Sequence, residues 1–431
     1  MKAVCRSISE ERKVRFAEQE LVFSKGETEN KVVNIYPEFR YQPFEGFGGA
    51  ITEAAAYVYS LMDAADQKRM MQEYFSESGM DYSYVRIPID SCDFSRFQYE
   101  GFAIVEQYIL PMLRDAEAAA GHKLPVMLSP WTPPAKWKDN QLRIQGGKLK
   151  PEHYADWAEY LCNYIEWYRK KGFLVTRITL QNEPHAVQTW DSCIYTAQEQ
   201  KLFLRDYMHP AMQKHGLTDI EIYLWDHNKE RVYEWLSEII DDTTRDMVAG
   251  MAFHWYSGDH FEALDLCRQA YPDKKLMVSE SCFEYSVYGE IDPVFAAQKF
   301  AHEILGDMNH GTNAYTDWNL LLDEQGGPNY VNNFCLAPYL YNTKTNTLER
   351  HLMADYIDLL SSTIVPGSVR TAATRYSDQV ETTAWHRPDG KLALILMNRQ
   401  NQAAEVCVRL NGQECKVPLK AMGFASLLIE E

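Results

Sequence analysis

VTRITLQNEPH (175–185) passes from a β-branched, apolar run directly into Asn182-Glu183-Pro184-His185. Val, Thr and Ile favour extended backbone, and the proline ends the run. A strand that delivers a glutamate at its C-terminal end reads as one βα unit of a parallel barrel, the fold in which reactive side chains sit at strand ends.

Seven further runs have the same character: FEGFGGA (44–50), YVRIPI (84–89), PVMLS (125–129), EIYLW (221–225), VAGMAFH (248–254), KLMVS (275–279) and AYTDWN (314–319). Helical stretches separate them. In 151–171, Trp157, Tyr160, Leu161, Tyr164 and Trp167 recur at the spacing of one helix face, which predicts packing on a sheet. Eight strands alternating with helices close a barrel, so the expected fold class is α/β, a (β/α)₈ TIM barrel over 41–360.

Beyond 361 the texture changes. ETTAWHRPDGKLALILMN (381–398) and AEVCVRLNGQECKVPL (404–419) each read strand, turn, strand. RKVRFAEQELVF (12–23) and KVVNIYPEF (31–39) are two more extended runs. The two ends, 1–40 and 361–431, are expected to join as an accessory antiparallel β-sandwich. The full length of 431 residues suits one large barrel with such a partner.

Composition narrows the function. A net charge of −18 repels phosphate backbones and anionic lipid, so neither nucleic acid nor a membrane surface is an expected partner. No apolar run reaches the length of a membrane span, so no membrane insertion is expected. MKAVCRSISEERKVRF (1–16) lacks the apolar core of a signal peptide. The nine cysteines are scattered, with no C-x-x-C, and are read as reduced thiols of a cytoplasmic protein.

Taking only the strand ends gives a short set of reactive residues. They are Asp90 and Asp93, Trp131, Asn182 to His185, Trp225 to His227, His254 to Tyr256, Glu280, and Trp318 with Asn319. Two glutamates, Glu183 and Glu280, among several tryptophans suit sugar chemistry. Glycoside hydrolysis needs two carboxyl groups, and indole faces match the C–H faces of a pyranose. A single strand-end Glu is more often a cap or a surface ion pair, and a single Trp is more often core. The conjunction of Asn-Glu-Pro, Ser-Glu and His-Trp-Tyr on separate strands is what argues for a site.

Other motifs fall away. Gly46-x-Gly48-Gly49 lacks the third glycine of a dinucleotide loop and reads instead as a tight turn under the pocket. His302-Glu303 has Gly306 where a zinc protease needs its second histidine, and no G-x-S-x-G exists. Cys282, two residues past Glu280, reads as packing. A metal-dependent barrel hydrolase would need clustered His and Asp ligands, often H-x-H, and none is visible, so no metal is expected. A non-catalytic carbohydrate-binding barrel would keep the tryptophans and lose a carboxylate, and here both are present.

FEGFGGAITEAAA (44–56), RIPIDSCDFS (86–95), LSPWTPPAKWK (128–138), ITLQNEP (178–184), FHWY (253–256), VSES (278–281) and TDWNLLLDEQGGPNYVNNF (316–334) together resemble glycoside hydrolase family 30, in its glucosylceramidase-like branch. The resemblance covers nearly the whole barrel, in order. It implies a barrel flanked by a β-sandwich from both chain ends, and a retaining mechanism without cofactor. Glu183 would be the acid/base, Glu280 the nucleophile, and Asn182 the partner of the sugar C2 substituent. His254 and Tyr256 would line the site beside Glu280. Asp93, Trp131, Trp318 and Asn333 would shape the pocket for the non-reducing sugar. The implied substrate is a small β-glycoside or oligosaccharide, with β-xyloside, β-fucoside or β-1,6-glucan as alternatives to β-glucoside. The segments after Gly101, Glu183 and Glu280 depart from the lysosomal enzymes, so ceramide recognition does not carry over. The charge on Glu280 is expected to keep Glu183 protonated.

Overall fold

The computed structural model describes residues 1–8 and 14–430, so positions 12 and 13 of the first predicted N-terminal run lie outside the described residues. The eight predicted strands all form, and they close into a parallel barrel. They are β1 (Gly46–Ala50), β2 (Tyr84–Ile89), β3 (Pro125–Pro130), β4 (Leu174–Thr179), β5 (Glu221–Asn228), β6 (Gly250–His254), β7 (Lys275–Glu280) and β8 (Ala314–Asp317). Each pairs with the next, and β8 pairs with β1 through Ala314↔Gly46 to Asp317↔Gly49.

Side chains alternate between the barrel interior and the helix layer, because the strand period is two. In β2, Val85 and Ile87 point outward into the core shared with the helices, while Tyr84 joins an inner cluster with Met127, Tyr223, Ala252, Met277 and Ala314. Farther along the strands the inward positions turn polar: Arg86, Ser129, Thr179, Asp226 and Ser279, all fully buried. That change of layer sets up the site. The helix Tyr154–Lys170 lies outside, with Trp157, Leu161 and Tyr164 buried as their spacing predicts.

The glycines of 46–49 do not form the expected turn. They lie in β1, where bulk is excluded: a β-carbon on Gly48 would sit 2.7 Å from the Tyr84 ring, and one on Gly49 would sit 2.2 Å from Leu320.

A ten-stranded sheet forms from both chain ends. Val380–His386 pairs with Leu392–Asn398 around the Pro-Asp-Gly turn. Ala404–Leu410 pairs with Gln413–Leu419 around Asn411-Gly412, both at positive φ, as the Asn-Gly signal predicts. Two features differ from the sequence reading. Ala404–Leu410 also pairs in parallel with Val32–Pro43, so the sheet is not wholly antiparallel. Lys2–Ser7 is a strand between Ala17–Val22 and Phe424–Glu430, burying Ala3 and Cys5 by simple alternation. All nine cysteines are free and buried.

Candidate active site

Arg86, on β2, lies at the centre of the polar layer and is fully buried. Its guanidinium donates to Glu280 Oε2 (2.7 Å), to Asn182 Oδ1 (2.9 Å), to both oxygens of Asp226 (3.1 and 3.0 Å) and to Ser129 Oγ (3.1 Å). A buried guanidinium needs anions around it, and its fixed fork orients each of them. Asp226 is held further by the hydroxyls of Thr179 (2.7 Å) and Ser279 (2.6 Å).

Glu280 ends β7, with Arg86 on Oε2 and the Tyr256 hydroxyl donating to Oε1 at 3.0 Å. Glu183 follows β4 and stands at φ 48, a strained conformation for a non-glycine residue. His254 joins the two walls. Its Nδ1 lies 3.3 Å from Glu183 Oε1, and its Nε2 lies 3.1 Å from Asp226 Oδ1 and 3.8 Å from Glu280 Oε2.

These groups border a cavity of about 290 Å³. Asp93, Trp131, Asn182, Glu183, Tyr256, Glu280, Trp318 and Asn333 all line it. His254 lies beneath, fully buried. Trp131 and Trp318 stack on one another at 5.2 Å and 17°, with the Arg86 guanidinium 5.0 and 5.2 Å from their rings. Each indole is only 1% exposed, so each is wall and core at once. Asp93 Oδ1 and Trp318 Nε1 are buried with no hydrogen-bond partner among the described residues, which suits them to receive the hydroxyls of a ligand. Two larger cavities, of about 550 and 780 Å³, lie elsewhere. The first holds Glu73, Asp355 and Asp358 beside Arg15, Arg69 and Arg350, and the second is largely apolar; neither brings together a carboxylate pair and indole rings.

Residues 44–364 match the glycosyl hydrolase family 30 TIM-barrel domain, and 367–426 match the family's beta sandwich domain. The chain belongs to glycosyl hydrolase family 30. Lysosomal acid glucosylceramidase of Mus musculus is 28% identical over 405 residues, 86% of this chain and 78% of that protein. The crystal structure of SrfJ from Salmonella typhimurium superposes with a TM-score of 0.96 at 32% identity, covering 100% of both chains. The endo-β1,6-glucanase BT3312 superposes at 0.89 with 27% identity, again over 100% of both. The protein is therefore a glycoside hydrolase.

Electrostatics in this family 30 pocket depart from the sequence expectation. Burial works to raise Glu183, but the hydrogen bond from His254 and the charges of His227 and His254 outweigh it and hold this carboxyl below its ordinary value. Burial raises Glu280, and Glu183 adds to the rise, against the pull of His254 and Arg86. Burial opposes charge on His254 too, yet Glu280, Asp226 and Glu183 together push it up to about 10. Asp93 is driven well above the carboxylate range by burial and then by Glu280 and Glu183. The two shifts therefore run opposite to the expected order, with Glu183 lowered beside His254 and Glu280 raised.

Sequence reasoning missed Arg86, Asp226 as its partner, and the role of His227. An arginine inside the otherwise apolar run YVRIPI was the available signal, because a charge buried between apolar neighbours requires a partner. The structure also groups potential metal ligands that the sequence reading did not find: Glu183, His227 and His254 each bring one ligand atom within 4.8 Å of the others. They come from three different strands, so no H-x-H motif announces them.

Proposed function

We propose that this glycoside hydrolase is a retaining exo-β-glycosidase that removes one neutral sugar, β-glucose first among the candidates, from small β-glycosides. Glu183 is the general acid/base and Glu280 the nucleophile. The observation that carries the reading is the cavity itself. At about 290 Å³ it lies at the small end of ligand pockets, roughly 300–1,000 Å³. Its walls are the stacked Trp131–Trp318 pair and the unpartnered Asp93 Oδ1. That space suits a single ring against an indole face, with a hydroxyl on Asp93.

The chemistry follows from the contacts. Glu280 has both oxygens held by fixed donors, so its attack on the anomeric carbon needs no reorientation. The two glutamates titrate as a unit, and the reactive form has the proton on Glu183 and the charge on Glu280. Arg86 and the Tyr256 hydroxyl stabilise that charge. Glu183 protonates the leaving oxygen as Glu280 forms the glycosyl ester. Once esterified, Glu280 carries no charge, and Glu183, an anion beside His254, takes a proton from the incoming water. Asn182, fixed through its Oδ1 on Arg86, faces the cavity where the C2 substituent would lie.

The resemblance to an endo-β1,6-glucanase gives the second reading, in which the cavity is one subsite of an open cleft. The test is hydrolysis of aryl β-glucoside, β-xyloside and β-fucoside, and separately of a β-1,6-glucan, with products sized by chromatography. The exo reading expects monosaccharide release and turnover of at least one aryl glycoside. Intermediate-length fragments from the polymer, with no turnover of the aryl substrates, would overturn it.

A further inference from the structure

Glu183 follows β4, and His227 and His254 lie at the C-terminal ends of β5 and β6, three neighbouring strands of the barrel. Glu183 Oε1 is 3.3 Å from His254 Nδ1 and 3.6 Å from His227 Nδ1. Zinc holds nitrogen and oxygen ligands at about 2.0–2.2 Å in a tetrahedron, which puts neighbouring ligand atoms about 3.3 Å apart. Both distances from Glu183 are near that spacing, and all three ligand atoms lie within 4.8 Å of one another. Two further features point the same way. His227 Nδ1 is buried with no hydrogen-bond partner among the described residues, and its ring is braced against Trp225 at 5.1 Å. His254 gives its other nitrogen to Asp226, the carboxylate–histidine arrangement that orients imidazole ligands of zinc. Glu183 and His227 also line the cavity, so a fourth position faces a water or a ligand hydroxyl.

We propose that Glu183, His227 and His254 form a binding site for a divalent transition-metal ion of the zinc and copper class, and that the ion inhibits the enzyme. Two imidazoles and one carboxylate favour these borderline ions over magnesium or calcium, which take oxygen ligands. On binding, the ion replaces the Nδ1 proton of His254, which passes to solvent, and no electron transfer is involved. Inhibition rests on the acid/base reading of Glu183, because the ion occupies the oxygen that must carry the catalytic proton. Binding itself does not rest on it.

The experiment titrates chelator-treated, full-length enzyme with zinc chloride in a calorimeter, with magnesium chloride as a parallel arm. Wild type is expected to bind one zinc ion per chain and no magnesium. His227→Ala and Glu183→Gln should each weaken zinc binding by at least about tenfold. Cys282→Ser, at the nearby thiol lining the same cavity, should bind zinc as wild type does. Cobalt in place of zinc should give visible absorption bands without a thiolate charge-transfer band. Absence of zinc binding to wild type, affinity unchanged in His227→Ala, or loss of binding in Cys282→Ser would each overturn the site. In the matching assay, zinc should lower turnover of an aryl β-glycoside and a chelator should restore it. Zinc that binds through His227 without inhibiting would leave the site standing and count against Glu183 as acid/base.

Discussion

Glu280 is fixed by Arg86 and Tyr256, whereas Glu183 meets His254, His227 at 3.6 Å and Gln188 at 3.4 Å, and the proposed roles predict different outcomes at the two positions. Glu280→Gln keeps the shape and removes the attacking charge, so turnover should fall by several orders of magnitude while sugar binding persists. A 2-deoxy-2-fluoro β-glycoside should leave a covalent adduct on Glu280 of the native enzyme; peptide mapping that finds it elsewhere sinks the assignment. Glu183→Ala should cost about 10²–10⁴-fold on glycosides with poor leaving groups and far less on activated aryl glycosides. Added azide should restore turnover as a β-configured glycosyl azide, and equal losses on both substrate types without azide rescue would argue against the role. These two positions were legible because Glu280 directly follows a strand-like run and Glu183 lies two residues past one. The partners of Arg86 were not, since they lie 43 to 194 residues away and only closure of the barrel brings them together. His227 was visible at a strand end, but its closeness to Glu183 and His254 was hidden for the same reason.

The strands of the barrel carry packing and chemistry on alternate residues, and the end of β8 shows both. Trp318 stacks on Trp131 from β3, and both indoles also border the cavity. Trp131→Ala should therefore lower stability by about 3–5 kcal/mol and also lower kcat/KM. Trp131→Phe should regain most of the melting temperature while kcat/KM stays depressed; full recovery of both would make the ring mere filling. One residue before Trp318, Asp317 is buried and accepts a hydrogen bond from Tyr82. Burial pushes its carboxyl up to about 7, and the Tyr82 contact only partly offsets this. The folded state thus binds this proton more tightly than the unfolded chain. The resulting stability is fully present below the ordinary carboxylate pKa of about 3.9 and is lost as pH rises through about 7. Asp317→Asn, which cannot ionise, should accordingly melt above the native enzyme at pH 8, with the advantage shrinking toward pH 4. Melting curves across that range check it, and an advantage that grows toward acid would be the wrong sign. The existence of the strands could be read from their β-branched, apolar runs. Lys2–Ser7 could not, because its alternation spans only Ala3 and Cys5 before solvent-facing residues resume, and its order comes from Ala17–Val22 and Phe424–Glu430 on either side.

At the scale of the molecule, the sandwich is not a passenger on the barrel. Its central strands are buried on both faces: Leu392–Asn398 has every residue buried. One set of side chains, Ala384, Leu394, Leu396, Leu427 and Ile429, forms the sandwich's own core. The alternate set, Trp385, Ile395, Met397 and Phe424, belongs to the same apolar cluster as the barrel helices. Tyr356, on helix Leu352–Thr363, stacks on Phe424 at 4.5 Å and 9°, and its hydroxyl donates to the Met422 carbonyl at 3.0 Å. Gln298 donates to the same carbonyl at 2.8 Å, and Phe44, just before β1, meets Trp385 edge-on at 5.6 Å. Sequence texture showed that two architectures exist, because hairpin turns replace βα spacing after 361. It did not show that they share a core, since a strand with two apolar faces reads the same whether its second face meets another sheet or a helix. The shared core makes the two parts one cooperative unit: separating them would expose the Trp385, Ile395, Met397 and Phe424 face together with its partners on the barrel. Heating the native protein in a calorimeter should therefore give a single transition whose calorimetric and van't Hoff enthalpies agree. Phe424→Ala, which deletes the ring stacked on Tyr356, should cost about 3–5 kcal/mol and move that transition downward without splitting it. Two resolved transitions in the native protein, or a variant in which only one of two moves, would show instead that barrel and sandwich fold independently and that their contact is an ordinary domain interface.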